Sequence, residues 1–237
     1  MRLLWIGLLF SSTLGAQAQL TAVIPPRSPS TVSRVYSAGV DAGDYVYVSA
    51  QGPRRRDGSL PATFAEQCRQ ALDNIRLVVE TAGLGREHVV YTQVYLEDVS
   101  KYGEMNRVFS EYFAQNLPAR AVLGVARLPD PPIQINAVAV RNLANKRPVY
   151  PPNDKAEGSY SPGILTHDRL FISSMSGSDP ATGKVSPDPA AQVDLALDRI
   201  QAVVKAAGIE LSHMVFVNPY LTPDIPMRVM NERYARR

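Results

Sequence analysis

Two stretches of this 237-residue chain repeat one another, and this repeat constrains the fold more than any other feature of the sequence. YSAGVDAGDYVYVSAQGP, which begins at Tyr36, returns as YSPGILTHDRLFISSMSG at Tyr160, an offset of 124 residues. ALDNIRLVVETAG, which begins at Ala71, returns as ALDRIQAVVKAAG at Ala196, an offset of 125 residues. Self-similarity at a fixed spacing indicates a repeated structural unit. The sequence therefore predicts two copies of one domain.

The predicted boundaries place the first copy at residues 19–145 and the second at residues 146–237. Residues 142–159 are rich in proline and polar side chains and lack periodicity, which is typical of a linker. The second copy is predicted to be incomplete, because the counterpart of Arg120 at an offset of 125 would lie at position 245, beyond Arg237. Either the sequence is a fragment or the second copy is truncated, and we favour a fragment, because a domain without its last strands would leave a sheet edge uncovered.

The first 18 residues have the pattern of a secretory signal peptide. Arg2 is followed by an apolar stretch at residues 3–14 and then by Ala16-Gln17-Ala18, a small-residue cleavage pattern. The apolar stretch is shorter than the roughly 20 residues that a spanning helix needs. We expect cleavage after Ala18 and a mature protein that is periplasmic or secreted, without a membrane segment.

Within each copy, the hydrophobic pattern predicts strands and helices in the order β-β-α-β-α-β-β. In the first copy, four of the five strands are placed at residues 45–51, 89–96, 121–126 and 133–140, and the helices at residues 63–82 and 101–113. This order is typical of an α+β fold in which two helices lie on one face of a sheet. Because the other face must also be buried, we expect oligomerisation through the sheets.

The sequence offers little conventional catalytic machinery. The three histidines have no paired spacing and there is one cysteine, so no metal site is predicted, and no phosphate-binding or nucleophile motif is present. Cys68 falls on the apolar face of the first predicted helix and is interpreted as a buried apolar residue. The net charge of +3 permits small anionic ligands without requiring nucleic acid.

Arg120 is the candidate functional residue, because it places a full positive charge at the start of an apolar strand in LPARAVLGVARLP. A guanidinium can hold a carboxylate or phosphate through two parallel hydrogen bonds, most strongly where water is excluded. The alternative is an arginine that pairs with a nearby acid or extends to solvent. Spacing alone leaves both interpretations open.

Several motifs together resemble the Rid family (the RidA, or YjgF, group): YSAGV, VYVSAQGP, EQCRQALDNIRLVVETAG, PARAVLGVARLP and IQINAVAV. The resemblance covers residues 36–140 and, in the second copy, residues 160–237. It implies a chorismate-mutase-like fold with a mixed sheet, repeated twice, and a homotrimer-type assembly with ligand clefts between subunits. It also implies the hydrolysis of reactive enamines and imines of amino acids to 2-keto acids and ammonia, with no cofactor.

The resemblance further implies roles for five residues. Arg120 would hold the carboxylate of the substrate or ligand, Tyr36 would line the cleft, and Val122 would offer backbone polar groups near the ligand. Ala50 stands where the family has a glycine, and Asn136 stands where active deaminases carry a glutamate that positions water. An amide cannot accept a proton as a carboxylate does.

The sequence therefore leaves three candidate functions. The first is an exported enamine or imine deaminase, and the second is a non-catalytic module that binds small carboxylates such as 2-keto acids. The third, an endoribonuclease, has the least support, because no acid–base pair for RNA cleavage is visible and a basic turn at Arg54–Arg56 is its only trace of a nucleic-acid surface.

Overall fold

The computed structural model describes residues 19–26, 36–144, 146–152 and 159–237. The predicted signal peptide lies outside the described residues. Among the described residues, no helix has both the length and the apolar character needed to cross a membrane.

The first copy forms a sheet with two helices on one face, as predicted, and the sheet has six strands instead of the five in the predicted order. Its elements are β1 (Thr21–Val23), β2 (Gly39–Asp41), β3 (Tyr45–Gln51), α1 (Phe64–Thr81), β4 (Val89–Leu96), α2 (Tyr102–Phe113), β5 (Ala119–Gly124) and β6 (Ile133–Val140). The strand order is β1-β2-β3-β6-β4-β5. Only β4 and β5 run parallel among these pairs, so the sheet is mixed and β5 is one of its edges.

The first helix begins and ends where local chemistry requires. The Thr63 hydroxyl accepts a hydrogen bond from the Glu66 backbone N–H, and the Glu66 carboxylate accepts one from the Thr63 N–H. This capping box satisfies two N–H groups at the start of α1. Gly83 adopts a positive φ of 77° directly after the helix, a conformation that glycine adopts without a Cβ clash.

The core lies between the helices and one face of the sheet. The apolar face of α1 is buried there, including Cys68, as predicted. In the central strand β6, Ile133, Ile135 and Ala137 point towards the helices, and the alternate residues point to the opposite face. The turn at residues 53–60 connects β3 to α1.

The second copy departs from the repeat. It contains β7 (Arg147–Val149), β8 (Gly163–Leu165), β9 (Leu170–Ile172), α3 (Pro189–Ala206) and α4 (Met227–Tyr234). The three strands form a separate antiparallel sheet, β7-β8-β9. Because β7 lies inside residues 142–159, the interpretation of that whole segment as linker was wrong.

Residues 214–221 correspond to β4 by the repeat but are not a strand. In the first copy, β4 pairs with both β5 and β6, and the described residues contain no counterpart of either strand in the second copy. The side chains of Val215 and Phe216 are 97% and 77% exposed as a result. Apolar sequence alone does not make a strand when no neighbouring strand accepts its backbone hydrogen bonds.

The second copy covers part of the sheet face that the helices leave open. Ile164 and Phe171, from β8 and β9, pack against Tyr45, Val90 and other residues of that face. The Tyr45 hydroxyl hydrogen-bonds the Thr166 hydroxyl at 2.6 Å and also donates to Asp168. The open face of the first sheet is therefore buried in part within one chain.

Candidate active site

Arg120 is the second residue of β5, the edge strand. It pairs in register with Thr92 of β4, a strand whose side chains alternate between the two faces of the sheet. The Arg120 side chain lies on the helix face, where its guanidinium carbon is 4.7 Å from the ring centre of Phe109 in α2. Only 2% of the residue surface is exposed, so the charge is held out of solvent.

Polar contacts hold the guanidinium in this position. Its Nη2 donates to Oδ1 of Asn106 at 2.6 Å and to the Ser159 hydroxyl at 3.3 Å. The backbone N–H of Arg120 donates to the Ser173 hydroxyl at 2.8 Å, and its carbonyl accepts from the Ser174 N–H at 3.0 Å. The first copy thus supplies Asn106, whereas the second copy supplies the three serines.

Three aromatic rings surround the same group. The guanidinium carbon lies 4.7 Å from the centre of Phe109, 5.2 Å from that of Tyr160 and 6.0 Å from that of Tyr102. Cation–π attraction at these distances partly compensates for the loss of water around the charge. The rings also form an apolar enclosure, in which a hydrogen bond to an ionised ligand is strengthened by the low local dielectric.

The charge of Arg120 has no acidic partner within the described ranges of the chain. No ion pair to Arg120 exists there, and its Nη1 is buried without a hydrogen-bond acceptor. Burial lowers the pKa of Arg120, while the neighbouring Tyr102, Tyr160 and Cys68 act to raise it. A buried cation with an unused N–H group and no counter-charge is suited to an anionic ligand.

The tyrosine that lines this site comes from the second copy. The Tyr160 ring lies 5.2 Å from the guanidinium carbon, whereas Tyr36, its counterpart at an offset of 124, is 64% exposed. The structure therefore does not bring the predicted Tyr36 to Arg120. Ala50 is likewise replaced at the site by its counterpart in the second copy. Ala50 is exposed at the end of β3, whereas the N–H of Ser174 donates to the carbonyl of Arg120.

The other two predicted residues lie in different surroundings. Val122 is two residues along β5 from Arg120, on the same face, and packs partly buried against the helix core. Asn136 in β6 pairs with Gln93 of β4, one position out of phase with the Thr92–Arg120 pair. Because side chains alternate along a strand, Asn136 and Arg120 point to opposite faces of the sheet. The structure does not bring Asn136 to the guanidinium.

Asn106, Phe109, Ser159 and Ser173 were missed as site residues from the sequence. Asn106 carried one usable signal, since the pair Met105-Asn106 recurs as Met230-Asn231 at an offset of 125. Ser173 and Tyr160 could have been found by applying the offset of 124 to motifs of the first copy, whereas the counterpart of Ser159 is Val35, outside those motifs. That step requires knowing that one copy closes the site of the other.

Other groups near the site do not add a nucleophile or a metal ligand set. Cys68 is fully buried, and this burial raises the pKa of its thiol to about 12, so the thiolate is scarce at neutral pH. Within the part of the chain that the structure describes, no three His, Cys, Asp or Glu residues cluster in a way that could hold a metal ion. The chemistry offered is that of a buried cation, hydroxyls and aromatic walls.

Comparison with known proteins gives consistent matches. The model of the endoribonuclease L-PSP family matches residues 27–141 and again residues 152–237. The chain is 40% identical over 111 residues to the 2-iminobutanoate/2-iminopropanoate deaminase of Escherichia coli K12, covering 45% of this chain and 87% of that protein. It is 35% identical over 109 residues to a RutC family protein of Pyrococcus horikoshii, covering 45% and 86%. Among solved structures, the YjgF gene product of E. coli aligns with a TM-score of 0.49 and 35% identity, over 52% of this chain and 99% of that one.

Proposed function

Because the chain belongs to the endoribonuclease L-PSP family, which confirms the predicted Rid (RidA/YjgF) resemblance, we propose that it hydrolyses enamines or imines of amino acids to 2-keto acids and ammonia. The observation that carries this proposal is Arg120, a buried guanidinium with an unused N–H group and no acidic partner among the described residues. Every 2-imino acid carries a carboxylate, which such a group would hold.

The reaction needs few groups from the protein. Water adds to the imine carbon, the C–N bond of the resulting amino alcohol breaks, and the products are a 2-keto acid and ammonia. An imine carbon is electrophilic once its nitrogen is protonated, so a held carboxylate and a positioned water suffice for much of the rate. The proposal requires neither a metal ion nor a covalent intermediate.

The hydroxyl groups around Arg120 are candidates for positioning this water. Ser159 already contacts Nη2 at 3.3 Å, and the rings of Tyr102 and Tyr160 lie within 6.0 Å of the guanidinium carbon. Asn136 remains a predicted catalytic residue, but it would have to act from the opposite face of the sheet. We therefore assign water positioning to the hydroxyl groups first.

The experiment generates 2-aminoacrylate or 2-iminobutanoate in solution and follows keto-acid release through a coupled reduction. The wild-type protein should release keto acid faster than buffer, and Arg120→Ala should lose at least about 100-fold of this acceleration, since it removes the group that orients the substrate. Arg127→Ala, which removes an exposed arginine, is the matched control and should retain the wild-type rate. Equal rates for wild type and Arg120→Ala would refute the proposal.

A non-catalytic carboxylate-binding module is the second candidate. It is favoured by Asn136, which replaces a proton-accepting glutamate and lies away from the guanidinium. Calorimetry with 2-oxobutanoate separates the two functions. Binding that depends on Arg120, without any turnover of imines, would establish the module, whereas an absence of binding to every keto acid would exclude it.

We further propose that the protein is exported and forms a trimer-type homo-oligomer. The first 18 residues support export, and Tyr47, which is 39% exposed on the open face of the first sheet, supports association. Mass spectrometry of the mature N-terminus, with residue 19 expected first, and light scattering of the purified protein test these two points.

Endoribonuclease activity has no support besides the description of the family. RNA left intact by a nuclease-free preparation of the protein would exclude it.

A further inference from the structure

Thr92 lies beside Arg120, in the middle of β4. The two residues pair in register on neighbouring parallel strands, so their side chains project from the same face of the sheet. Neighbouring strands are about 4.8 Å apart, which places the two side chains side by side beneath the helices. Thr92 is fully buried, with 0% of its surface exposed.

Both residues have an unsatisfied polar atom. Within the described part of the chain, the buried side-chain polar atoms that lack a hydrogen-bond partner are Oγ1 of Thr92 and Nη1 of Arg120. A buried hydroxyl without a partner destabilises the folded state, and native proteins rarely tolerate one without a functional reason. Here two such atoms occur on residues that are direct neighbours across one strand pair.

The geometry points to Thr92 as a second anchor for the substrate carboxylate. One carboxylate oxygen accepts a hydrogen bond from Nη1 of Arg120, and the other accepts one from the Thr92 hydroxyl, which can donate. This inference rests on the proposed function and refines it. One cationic donor and one neutral donor, enclosed by aromatic rings, fit the single carboxylate of a monocarboxylic 2-imino or 2-keto acid.

A purely structural role makes a different prediction. A valine has nearly the shape of threonine but no hydroxyl, so it would fill the same space in the core. If the hydroxyl served only the folded state, Thr92→Val would lower stability and leave ligand affinity unchanged. If the hydroxyl binds the carboxylate, Thr92→Val leaves the stability of the ligand-free protein unchanged or raises it, since an unpaired buried hydroxyl is removed.

The test measures the Kd for 2-oxobutanoate by calorimetry for the wild type, Thr92→Val, Thr92→Ser and Arg120→Ala, with urea unfolding of each ligand-free protein. Thr92→Val should raise Kd about 10-fold or more, as expected for loss of a hydrogen bond to a charged group. Thr92→Ser retains the hydroxyl and should stay within about 3-fold of the wild type.

The outcomes separate this inference from the proposed function. Wild-type affinity in Thr92→Val, together with lost binding in Arg120→Ala, would overturn the role of Thr92 alone. Wild-type affinity in Arg120→Ala would overturn the carboxylate site and the role of Thr92 with it. A wild-type protein that binds no 2-oxobutanoate would also overturn both.

Discussion

Replacing Arg120 by methionine should make the ligand-free protein more stable while removing its ability to bind a carboxylate. Arg120 is 2% exposed and has no ion pair among the described residues, so burial of its charge carries a desolvation cost of several kcal/mol that no counter-charge offsets. Methionine has a similar length, is flexible enough to fill the space, and makes favourable contacts with aromatic rings such as Phe109 and Tyr160.

The expected gain is smaller than this desolvation cost, because the substitution also removes stabilising contacts. The hydrogen bonds from the charged guanidinium to Asn106 and Ser159 contribute about 1.5 kcal/mol each, and the cation–π contacts contribute a further fraction. The net change in the free energy of unfolding should therefore be an increase of about 1–2 kcal/mol, near the lower end of the range seen when buried ionic groups are replaced by apolar ones.

Urea unfolding with and without 2-oxobutanoate provides the assay. At 100 times its Kd, the ligand should stabilise the wild type by about 2.7 kcal/mol and Arg120→Met not at all, so the order of the two stabilities should reverse. Arg127→Met, at an exposed position, should change stability by less than about 0.5 kcal/mol in either condition. A ligand-free Arg120→Met that is less stable than the wild type by more than about 1 kcal/mol would show that the surroundings compensate the charge, and the reasoning would fail.

Three further predictions concern other residues. Tyr160→Ala should weaken 2-oxobutanoate binding in calorimetry by about 10-fold, whereas Tyr36→Ala, at the exposed counterpart, should not change it. Because burial raises the pKa of Cys68 to about 12, a thiol reagent at pH 8 should label it only after unfolding in urea, and rapid labelling of the native protein would contradict its burial. Burial lowers the pKa of Lys146 from 10.5 to about 8, so the unfolded chain holds this proton more readily between these pH values. The free energy of unfolding of the wild type should therefore rise relative to Lys146→Met between pH 8 and 10, and a constant difference would refute the shifted pKa.

The first copy could be predicted closely because local and global signals agree in it. The strand at Tyr45–Gln51 and the helix at Phe64–Thr81 follow from alternation, helical spacing and a capping box, all of which are encoded within the segments themselves. Residues 214–221 carry similar apolar residues but form no strand, since a strand depends on partners that sequence-local patterns do not describe.

The candidate site was predictable only in part for the same reason. Arg120 could be identified from a short motif, whereas Tyr160, Ser159 and Ser173 reach it through packing between the two copies. Tyr36 carries the same local motif as Tyr160, and nothing in that motif decides which of them faces the arginine. The face of the sheet from which Asn136 projects depends on the register of β6 against β4. A shift of one residue would move its side chain to the other face, and the motif alone does not determine this register.

The contribution of Ser159, Tyr160 and Ser173 to the surroundings of Arg120 has a consequence for how the site behaves on dilution. A cleft built between separate chains loses one wall when the chains dissociate, so its ligand affinity depends on protein concentration. Here the wall is tethered to the arginine by fewer than 40 residues, from Arg120 to Ser159, and its effective concentration is set by that tether. The site should therefore keep its affinity in dilute surroundings, and during synthesis it becomes complete only after the residues up to Ser174 have left the ribosome and folded.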